Sequence, residues 1–309
     1  MKDFEINIIK ALRDISSPSL DIIFRCLTFM GEQVILILLI SIVYFLMDKK
    51  EGQKIGFALV TTLLFNNSLK GIIKYERPFV YSNEYEPAEI AIEAATGYSF
   101  PSGHTQNAAT LYSSLSLSFK KKWLTITCIS LIAVVGFSRI YLGVHFPKDV
   151  LFGALFGIAC TLLTRYIHNK FCDYFKKEML TYIVTLIIFI PFLFIFWTND
   201  YDQLILVRDF YIAFAFALGF FSAVLFEKKF LDFEKSINFK TNILRFIGAI
   251  ISLLVFYVGL KLLFKLPIFP QEGNVYKIFF DCIRYFLVSF VSLGVYPVLF
   301  KNTLFKKEA

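Results

Sequence analysis

The stretch from Ser138 to Asp149 reads SRIYLGVHFPKD and lies between two apolar segments. These flanks predict a short polar stretch at a membrane surface. It carries a guanidinium, an imidazole and a carboxylate. Arg can bind a phosphoryl group through two parallel hydrogen bonds, His can attack phosphorus or transfer a proton, and Asp can fix the tautomer of a neighbouring His. The stretch therefore predicts either a phosphate-handling site or a plain polar loop, and the remaining sequence has to decide between them.

The composition indicates a membrane protein rather than a soluble enzyme. Hydrophobic residues make up 57% of the 309 residues, the mean hydropathy is +0.64, and charged residues make up only 18%. Soluble domains carry about 25% charged residues. The net charge of +8 does not indicate nucleic-acid binding, because Lys and Arg form short clusters between apolar runs. Five cysteines without paired spacing are predicted to be buried structural thiols: Cys26, Cys128, Cys160, Cys172 and Cys282.

Long apolar runs predict an all-α, polytopic membrane helical bundle. Runs of about 18 or more apolar residues are typical of spanning helices. Residues 1–30 are too polar to span, and they predict an amphipathic segment of one or two helices lying in the interface. The runs predict about nine transmembrane helices, at residues 33–47, 55–73, 105–119, 123–137, 150–167, 180–197, 206–226, 244–263 and 278–300.

The loops between these spans divide into two sets by charge. The Lys-rich set is predicted to be cytoplasmic, and it comprises the loops at 48–54, 120–122, 165–177 and 228–245 and the C-terminal tail. The opposite set includes loops 74–103 and 138–149, which are the two that carry candidate chemistry. Both loops fall on the same side although their chemistry was not used to assign the sides, and this supports a site on the outer face.

Two further segments add to the predicted site. Lys70 ends the second predicted span, and Arg77 follows seven residues later, so both cations can point to one place. Either cation could instead only snorkel to the interface. Ser102, Gly103 and His104 precede the third predicted span, where a Ser can cap the helix and free helix-end amides bind anions. A plain capping turn is the alternative for this segment.

Taken together, the three segments supply cations, a hydroxyl, helix-end amides, two histidines and a carboxylate on one predicted membrane face. Residue chemistry alone leaves open which of His104 and His145 is the nucleophile. The third histidine, His168, lies in a basic linker and is predicted to be a surface residue. Loop 81–99 carries four glutamates and is predicted to be a solvated loop rather than a flap that selects head groups.

The three segments resemble the signature of the type-2 phosphatidic-acid phosphatase superfamily, which is Lys-x6-Arg-Pro, then Pro-Ser-Gly-His, then Ser-Arg-x5-His-x3-Asp. Every signature residue is present and in order. The resemblance covers about residues 30–170, which it marks as a phosphatase core between the interfacial segment 1–30 and additional transmembrane helices at 171–309. These later helices are expected to lie outside the resemblance or only weakly within it. They could shape a lipid entry path, form a homodimer face or thicken the fold.

The resemblance implies a role for each signature residue. His145 is expected to be the nucleophile of a phospho-histidine intermediate, oriented by Asp149. His104 is expected to protonate the leaving oxygen and later to activate water. Phosphate binding is expected from Lys70, Arg77, Ser102, Gly103 and Arg139. Lipid phosphatases of the family are typically metal-independent, and no acidic cluster in the sequence suggests a metal cage, so no metal or cofactor is expected.

The sequence therefore predicts a metal-independent lipid phosphatase in a bacterial plasma membrane, with its active site facing outside. The expected substrate is a lipid phosphate or diphosphate in the bilayer, with undecaprenyl diphosphate first and phosphatidate or phosphatidylglycerophosphate next. Both substrate expectations come from the resemblance. A lipid phosphotransferase and a non-catalytic anion-binding membrane protein are the other classes that fit the same residues, whereas a soluble haloperoxidase does not fit the spans.

Overall fold

The computed structural model describes residues 2–306, and it has helices and no β-strand in that range. Short turns of 3₁₀ or π-helix join some of the elements, at Phe29–Gly31, Val43–Met47 and Val291–Val295. The first seven helices are α1 (Lys2–Asp14), α2 (Pro18–Thr28), α3 (Gln33–Ile42), α4 (Lys49–Ile73), α5 (Pro78–Tyr81), α6 (Glu89–Ile92) and α7 (Gly103–Phe119). The other seven are α8 (Lys122–Tyr141), α9 (Pro147–Phe171), α10 (Phe175–Ile195), α11 (Tyr201–Phe230), α12 (Phe239–Leu263), α13 (Lys277–Phe290) and α14 (Tyr296–Leu299).

All nine predicted spans form helices, which confirms the all-α membrane architecture. Of the helices described, seven are long and apolar enough to cross a membrane, or eight when the bent pair Pro18–Gly31 and Gln33–Met47 counts as one span. The predicted number of nine is therefore approximate. Helix α7 differs from an ordinary span because it has 17 residues, about 26 Å of helix, against a hydrocarbon core of about 30 Å.

The chain packs into two units, and the candidate site belongs to the first. This unit comprises the residues up to Leu38 together with Thr61–Thr164. Helix α7 packs along α8 in this unit and bonds through polar side chains to α4 and α9. Asn66 Nδ2 donates to Gln106 Oε1 over 2.8 Å, and Ser113 Oγ donates to Thr161 Oγ1 over 2.9 Å. Because neighbouring helices satisfy its polar groups, α7 can be polar inside the bundle.

Two glycines on α9 allow this helix to approach α7 closely. A Cβ added at Gly153 would lie 2.8 Å from the Ser102 carbonyl oxygen, and one at Gly157 would lie 2.5 Å from the Gln106 carbonyl oxygen. The two positions form a Gly-xxx-Gly pattern, which lets helix backbones pack tightly in membranes. This close packing fixes the start of α7 against the start of α9, where the signature residues lie.

The N-terminal segment forms two helices, as its amphipathic pattern predicted. Ser17 Oγ accepts a hydrogen bond from the Leu20 N–H over 3.3 Å, and Pro18 occupies the first turn of α2. Ile9 of α1 is fully buried against Phe146, which lies beside the candidate site. Helix α2 packs on α8. The first unit therefore includes the N-terminal segment in its core.

The second unit comprises Leu39–Val60 and the residues from Arg165 onward. Helix α11 packs along α10 and α13, and α12 packs on α13. On α13, Arg284 Nη2 lies 2.9 Å from Asp281 Oδ1, three residues earlier, and the two form an ion pair. Arg208 adds a second ion pair, with its Nη2 2.5 Å from Asp281 Oδ2. The buried carboxylate of Asp281 is thus paired with two arginines of its own unit.

Two predictions about single residues were wrong. His168 is not a surface residue, because α9 continues to Phe171 and buries the ring, 6.2 Å from the ring of Phe57. Cys26 is exposed on α2, whereas the other four cysteines are buried or half-buried. The four glutamates of loop 81–99 are exposed, as predicted for a solvated loop. The predicted division at residues 30 and 170 stays a prediction.

Candidate active site

His145 lies in the turn that leads into α9, and two side chains face one side of its ring. Its Nδ1 atom is 3.4 Å from Asp149 Oδ2 and 3.3 Å from Ser99 Oγ. Ser99 Oγ donates to Asp149 Oδ2 over 2.5 Å, and the Phe146 N–H donates to the same oxygen over 3.0 Å. His145 is 1% exposed and Asp149 is fully buried. The carboxylate is therefore held rigidly behind the imidazole.

The opposite ring nitrogen of His145 faces a cation, which decides the tautomer. Arg77 Nη1 lies 3.2 Å from Nε2. Because a guanidinium can only donate, Nε2 must accept and the ring proton must sit on Nδ1, towards Asp149. Burial, together with the cations of Arg77, Arg139 and Lys70, holds the pKa of His145 well below its usual value. The ring is thus neutral near pH 7, with its lone pair on Nε2.

Arg77 also joins three backbone carbonyls, which explains how the loops are held together. Its Nε donates to the Gly97 carbonyl over 3.0 Å, and its Nη2 donates to the Thr96 carbonyl over 2.5 Å. Its Nη1 donates to the Val144 carbonyl over 3.0 Å. Arg77 lies past the end of α4 and is buried. The guanidinium thus fixes the loop before α7 to the turn that carries His145.

The turn before His145 depends on Gly143. Its φ of +74° lies in the left-handed region that favours glycine. The Gly143 N–H donates to the Ile140 carbonyl over 3.0 Å, and the Gly143 carbonyl accepts from the Tyr85 hydroxyl over 2.8 Å. A Cβ at Gly143 would lie 2.8 Å from the Tyr85 ring. Glycine is therefore required both by the backbone angle and by the neighbouring tyrosine.

Arg139, in the last turn of α8, is fully buried and keeps unused donors. Its Nη1 donates to Thr28 Oγ1 over 3.2 Å. Within residues 2–306, its Nε and Nη2 atoms are buried and have no hydrogen-bond partner. Buried guanidinium donors without partners are costly unless an anion satisfies them. Arg139 thus differs from Arg77, because it still has donors to offer to a phosphoryl group.

The N-terminus of α7 lies beside these cations. A Cβ added at Gly103 would lie 3.9 Å from Lys70 Nζ, so the ammonium group stands at the helix start. The Ser102 N–H donates to the Asp149 carbonyl over 2.9 Å, which fixes α7 against α9. Ser102 is the N-cap residue of α7, as predicted, but its Oγ lies 3.0 Å from Thr105 Oγ1 and makes no bond to a helix amide. The helix-end amides remain beside Lys70.

His104 faces a carboxylate that the sequence did not single out. Its Nε2 lies 3.9 Å from Glu32 Oε1. Among the residues described, this buried nitrogen has no hydrogen-bond partner. Glu32 forms an ion pair with Arg25 on α2. Arg139 and Lys70 also lie close enough to act on His104 electrostatically. The imidazole therefore lies between two cations and one carboxylate.

Glu32 belongs to a short segment that touches the site repeatedly. We call residues 28–32 the N-terminal clasp, and they lie where Pro18–Gly31 and Gln33–Met47 meet at an angle of 45°. Thr28 accepts from Arg139, as described above. A Cβ added at Gly31 would lie 2.8 Å from the His104 carbonyl oxygen. The clasp therefore packs directly on the backbone of the second signature segment.

An open apolar groove lies next to the site in the first unit. Its volume is about 380 Å³. Thr105 and Pro147 line it at the level of His104 and His145, and the rest of its lining is apolar or glycine. The other lining residues are Ile129, Ile132, Ala133, Gly136, Val150, Leu151, Ala154 and Ile158. The groove thus offers an apolar surface that begins beside the polar site.

The structure brings all eight predicted site residues into the first unit. Four residues lie close enough to act electrostatically on His145: Lys70, Arg77, Arg139 and His104. Residues of all three signature segments therefore lie near one another. Sequence reasoning missed Ser99, Thr28 and Glu32. Ser99 precedes the Pro-Ser-Gly-His motif by two residues, and this nearness was the one sequence signal. Thr28 and Glu32 are far from every motif along the chain, so only the fold reveals them.

Comparison with known proteins identifies the family of the chain. The model of the PAP2 superfamily matches residues 52–173. A phosphatidylglycerophosphatase B of Bacillus subtilis is 31% identical over 181 residues, which cover 54% of this chain and 85% of that protein. The chain belongs to the PAP2 superfamily. It is a membrane lipid phosphatase of that family.

Other relatives carry different names. An undecaprenyl-diphosphatase of Sulfolobus acidocaldarius is 35% identical over 124 residues, covering 39% of this chain and 58% of the relative. A lipid A 4'-phosphatase of Porphyromonas gingivalis is 29% identical, covering 50% of this chain and 69% of the relative. A solved PAP2-type phosphatidylglycerolphosphate phosphatase from Bacillus subtilis matches with a TM-score of 0.46 at 30% identity, covering 54% of this chain and 86% of that one.

The C-terminal part of this PAP2 protein also matches a family description. Residues 211–308 match the transmembrane extension of PAP2 superfamily phosphatases. The expectation that the later helices lie outside the resemblance, or only weakly within it, was therefore wrong for this range. The signature motifs could not reveal the match, because the extension carries none of them.

Proposed function

We propose that this PAP2 protein hydrolyses the phosphate or diphosphate of a membrane lipid through a phospho-histidine intermediate. The observation that carries the proposal is the neutral His145, with Asp149 behind Nδ1 and a lone pair on Nε2. A neutral imidazole is the nucleophilic form of histidine, and in the reaction phosphorus would replace Arg77 Nη1 as the partner of the Nε2 lone pair. The unused donors of Arg139 support the same reading, because charge stabilisation dominates phosphoryl transfer.

The proposed reaction has two steps. In the first, His145 Nε2 forms a bond to phosphorus, the bond from phosphorus to the leaving oxygen breaks, and His104 gives that oxygen a proton. In the second, water gives a proton to His104 and attacks phosphorus, the P–N bond breaks, and inorganic phosphate leaves. Arg139, Lys70, the Ser102 hydroxyl and the helix-end amide of Gly103 stabilise the phosphoryl oxygens. Arg77 contributes charge and holds the His145 turn.

Among lipid substrates, we propose a polyprenyl diphosphate such as undecaprenyl diphosphate. A relative named undecaprenyl-diphosphatase is 35% identical over the matched region. The apolar groove supports a long-chain lipid, because a tail lying there would leave its head group at the level of His104 and His145. Phosphatidylglycerophosphate is the next candidate, since another relative is named phosphatidylglycerophosphatase B. We further propose that the site faces the outside of a bacterial plasma membrane.

The direct test compares phosphate release by the wild type and by His145→Ala, with EDTA present. The substrates are undecaprenyl diphosphate, phosphatidylglycerophosphate and phosphatidate in detergent. We expect the wild type to release phosphate and His145→Ala to lose at least about 1,000-fold in kcat, because no nucleophile remains.

Each alternative predicts a different result in the same assay. A non-catalytic anion binder would release no phosphate from any of the three lipids. A phosphotransferase would transfer the phosphoryl group to an added sugar or lipid acceptor in preference to water. Full activity of His145→Ala would contradict the proposed mechanism.

The groove can be tested with a variant that narrows it. Ala154→Phe should raise KM for undecaprenyl diphosphate roughly tenfold, and it should leave KM for a short-chain, water-soluble phosphate unchanged, because pocket contacts of this size contribute about 1–3 kcal/mol. Leu162→Phe is the matched control, since Leu162 is exposed on the same helix and does not line the groove. Equal KM values for both substrates in Ala154→Phe would show that the lipid tail lies elsewhere.

A further inference from the structure

The N-terminal clasp contacts two different signature residues. Thr28 Oγ1 accepts from Arg139 Nη1 over 3.2 Å. Gly31 packs so closely on the His104 backbone that a Cβ would lie 2.8 Å from the carbonyl oxygen and 2.9 Å from Val135 Cγ1. The clasp therefore packs closely against residues of the site. None of its residues belongs to the three signature segments.

The clasp brings a carboxylate to the imidazole that must act as an acid. Glu32 Oε1 lies 3.9 Å from His104 Nε2, a nitrogen without a hydrogen-bond partner in the described part of the chain. The charged groups that face His104 are Glu32 of the clasp, Arg139 of α8 and Lys70 of α4. Burial and the two cations lower the pKa of His104 to about 3, and the Glu32 carboxylate opposes this lowering. A phosphoryl group bound at Arg139 and Lys70 would offset the two cations, so that the carboxylate could favour the imidazolium form.

Arg25 holds the carboxylate in place. Its guanidinium forms an ion pair with Glu32, and both side chains are partly buried. Held in this way from α2, the Glu32 carboxylate can reach His104 without being free to rotate into solvent. The two groups lie slightly beyond hydrogen-bond distance, and catalytic hydrogen bonds are often long in structures without substrate.

We propose that Glu32 is a positioning residue for His104: its carboxylate faces Nε2–H and favours the imidazolium form, whose second proton, on Nδ1, goes to the leaving oxygen. This inference rests on the proposed function, because it assigns His104 the acid step. In that step the proton passes from His104 to the leaving oxygen while the bond from phosphorus to that oxygen breaks. The neutral ring then accepts a proton from the attacking water, which restores the pair with Glu32.

The test measures kcat/KM as a function of pH for two classes of substrate. A lipid phosphate has a poor leaving group and needs an acid, whereas p-nitrophenyl phosphate has a good leaving group and does not. We expect Glu32→Gln to lower kcat/KM for the lipid phosphate roughly tenfold to a hundredfold, at or below the lower limit of a general acid's contribution, because His104 itself is kept. For p-nitrophenyl phosphate we expect a change of about twofold or less, because little acid assistance is needed.

The pH profile adds a readout that a structural role would not move. Glu32→Gln removes the group that favours the protonated ring, so the basic limb of the lipid profile should move about one unit lower. Arg25→Gln removes the group that holds the carboxylate at His104, so the same limb should move in the same direction by a smaller step. Glu32→Asp keeps the charge and should restore part of the lost activity. These variants keep the test decisive if Glu32→Gln folds poorly.

Glu89→Gln is the matched control, because Glu89 is exposed at the start of α6 and the change should give wild-type profiles. Equal losses for both substrates with an unmoved basic limb would overturn the proposal and leave Glu32 a structural residue. Failure of the proposed function looks different, because the wild type would then release no phosphate or His145→Ala would remain active.

Discussion

Two arginines of the site have different surroundings, and this difference separates their roles. Arg77 donates to three backbone carbonyls and to His145. Arg139 is buried to the same degree, yet its Nε and Nη2 atoms have no partner within residues 2–306. A motif shows only that both positions are arginine. The surroundings indicate that Arg77 builds the site and that Arg139 is available to the phosphoryl group.

Arg139→Lys tests this distinction. A lysine keeps the charge but lacks the planar fork that binds two oxygens, so we expect kcat/KM to fall about 100-fold. Inhibition by inorganic phosphate should weaken in parallel. The measurement is phosphate release from the lipid diphosphate at several phosphate concentrations.

The control is Arg13→Lys, whose guanidinium pairs with Asp21 and donates to the Glu86 carbonyl away from the site. It should keep activity within about twofold, because none of the contacts of Arg13 involves a signature residue of the phosphoryl site. Unchanged phosphate inhibition in Arg139→Lys would contradict the assignment of Arg139 to the phosphoryl group.

At this scale, the sequence predicted the signature residues but not their supports. His145 and Asp149 are four residues apart, so their contact follows from local spacing. Ser99 reaches the same carboxylate from a different loop, and Glu32 reaches His104 from the N-terminal clasp. These contacts join residues that are distant in the chain, and no periodic pattern in a single sequence encodes them.

Among the helices, α7 is unusual because it is polar although it packs inside the bundle. It starts with the Pro-Ser-Gly-His motif and carries polar side chains along its length. Its bonds to α4 and α9 explain this polarity, since Asn66 and Thr161 satisfy Gln106 and Ser113. The close approach to α9 depends on Gly153 and Gly157. The pairing of these two helices therefore sets the positions of His104 and Asp149.

Gly157→Leu should separate α7 from α9. A Cβ at this position would lie 2.5 Å from the Gln106 carbonyl oxygen and 2.7 Å from Ala109 Cβ, so one helix must move. We expect a loss of about 1–3 kcal/mol in stability, as for other overpacked cores, and a lower kcat because the two ends of the site are displaced. Thermal unfolding in detergent and phosphate release measure the two effects.

Leu163→Ile is the corresponding control for α9, because Leu163 is exposed and the change preserves volume. It should leave both quantities near their wild-type values. A wild-type unfolding temperature for Gly157→Leu would show that the two helices are not packed as closely as the structure indicates.

Helix existence was predictable from apolar runs, whereas helix extent was not. Helix α4 begins at Lys49 rather than near residue 55, because the charged residues 49–54 continue the helix beyond the apolar run. Helix α9 likewise continues to Phe171 and includes His168, which the sequence had placed in a surface linker. Charged and polar residues at the ends of a helix can lie outside the hydrocarbon region. An apolar run therefore predicts the membrane-spanning part of a helix but not the residue at which the helix ends.

For the whole molecule, alternation of charged loops predicts which side the site faces. The positive-inside rule puts the loop with Lys121 in the cytoplasm and the loop with Glu89 outside. Membrane insertion itself is supported by seven or eight apolar helices in the described residues. The outward orientation and a homodimer stay predictions.

Orientation can be measured by labelling single cysteines in intact bacterial cells. In a background with all five native cysteines replaced, we expect Glu89→Cys to react with a membrane-impermeant maleimide, because its loop faces outside. We expect Lys121→Cys to react only after the cells are lysed. Both native side chains are exposed, so access to the reagent depends on the membrane alone. The reverse pattern would place the active site in the cytoplasm.

The N-terminal clasp has a consequence for anyone who wishes to shorten or transplant this catalyst. The PAP2 match begins at residue 52, so a fragment cut to 52–173 keeps every signature motif. It nevertheless omits residues 28–32, and with them the carboxylate opposite His104 and the hydroxyl that holds Arg139. A fragment delimited by sequence similarity alone would therefore lack residues that line the candidate site.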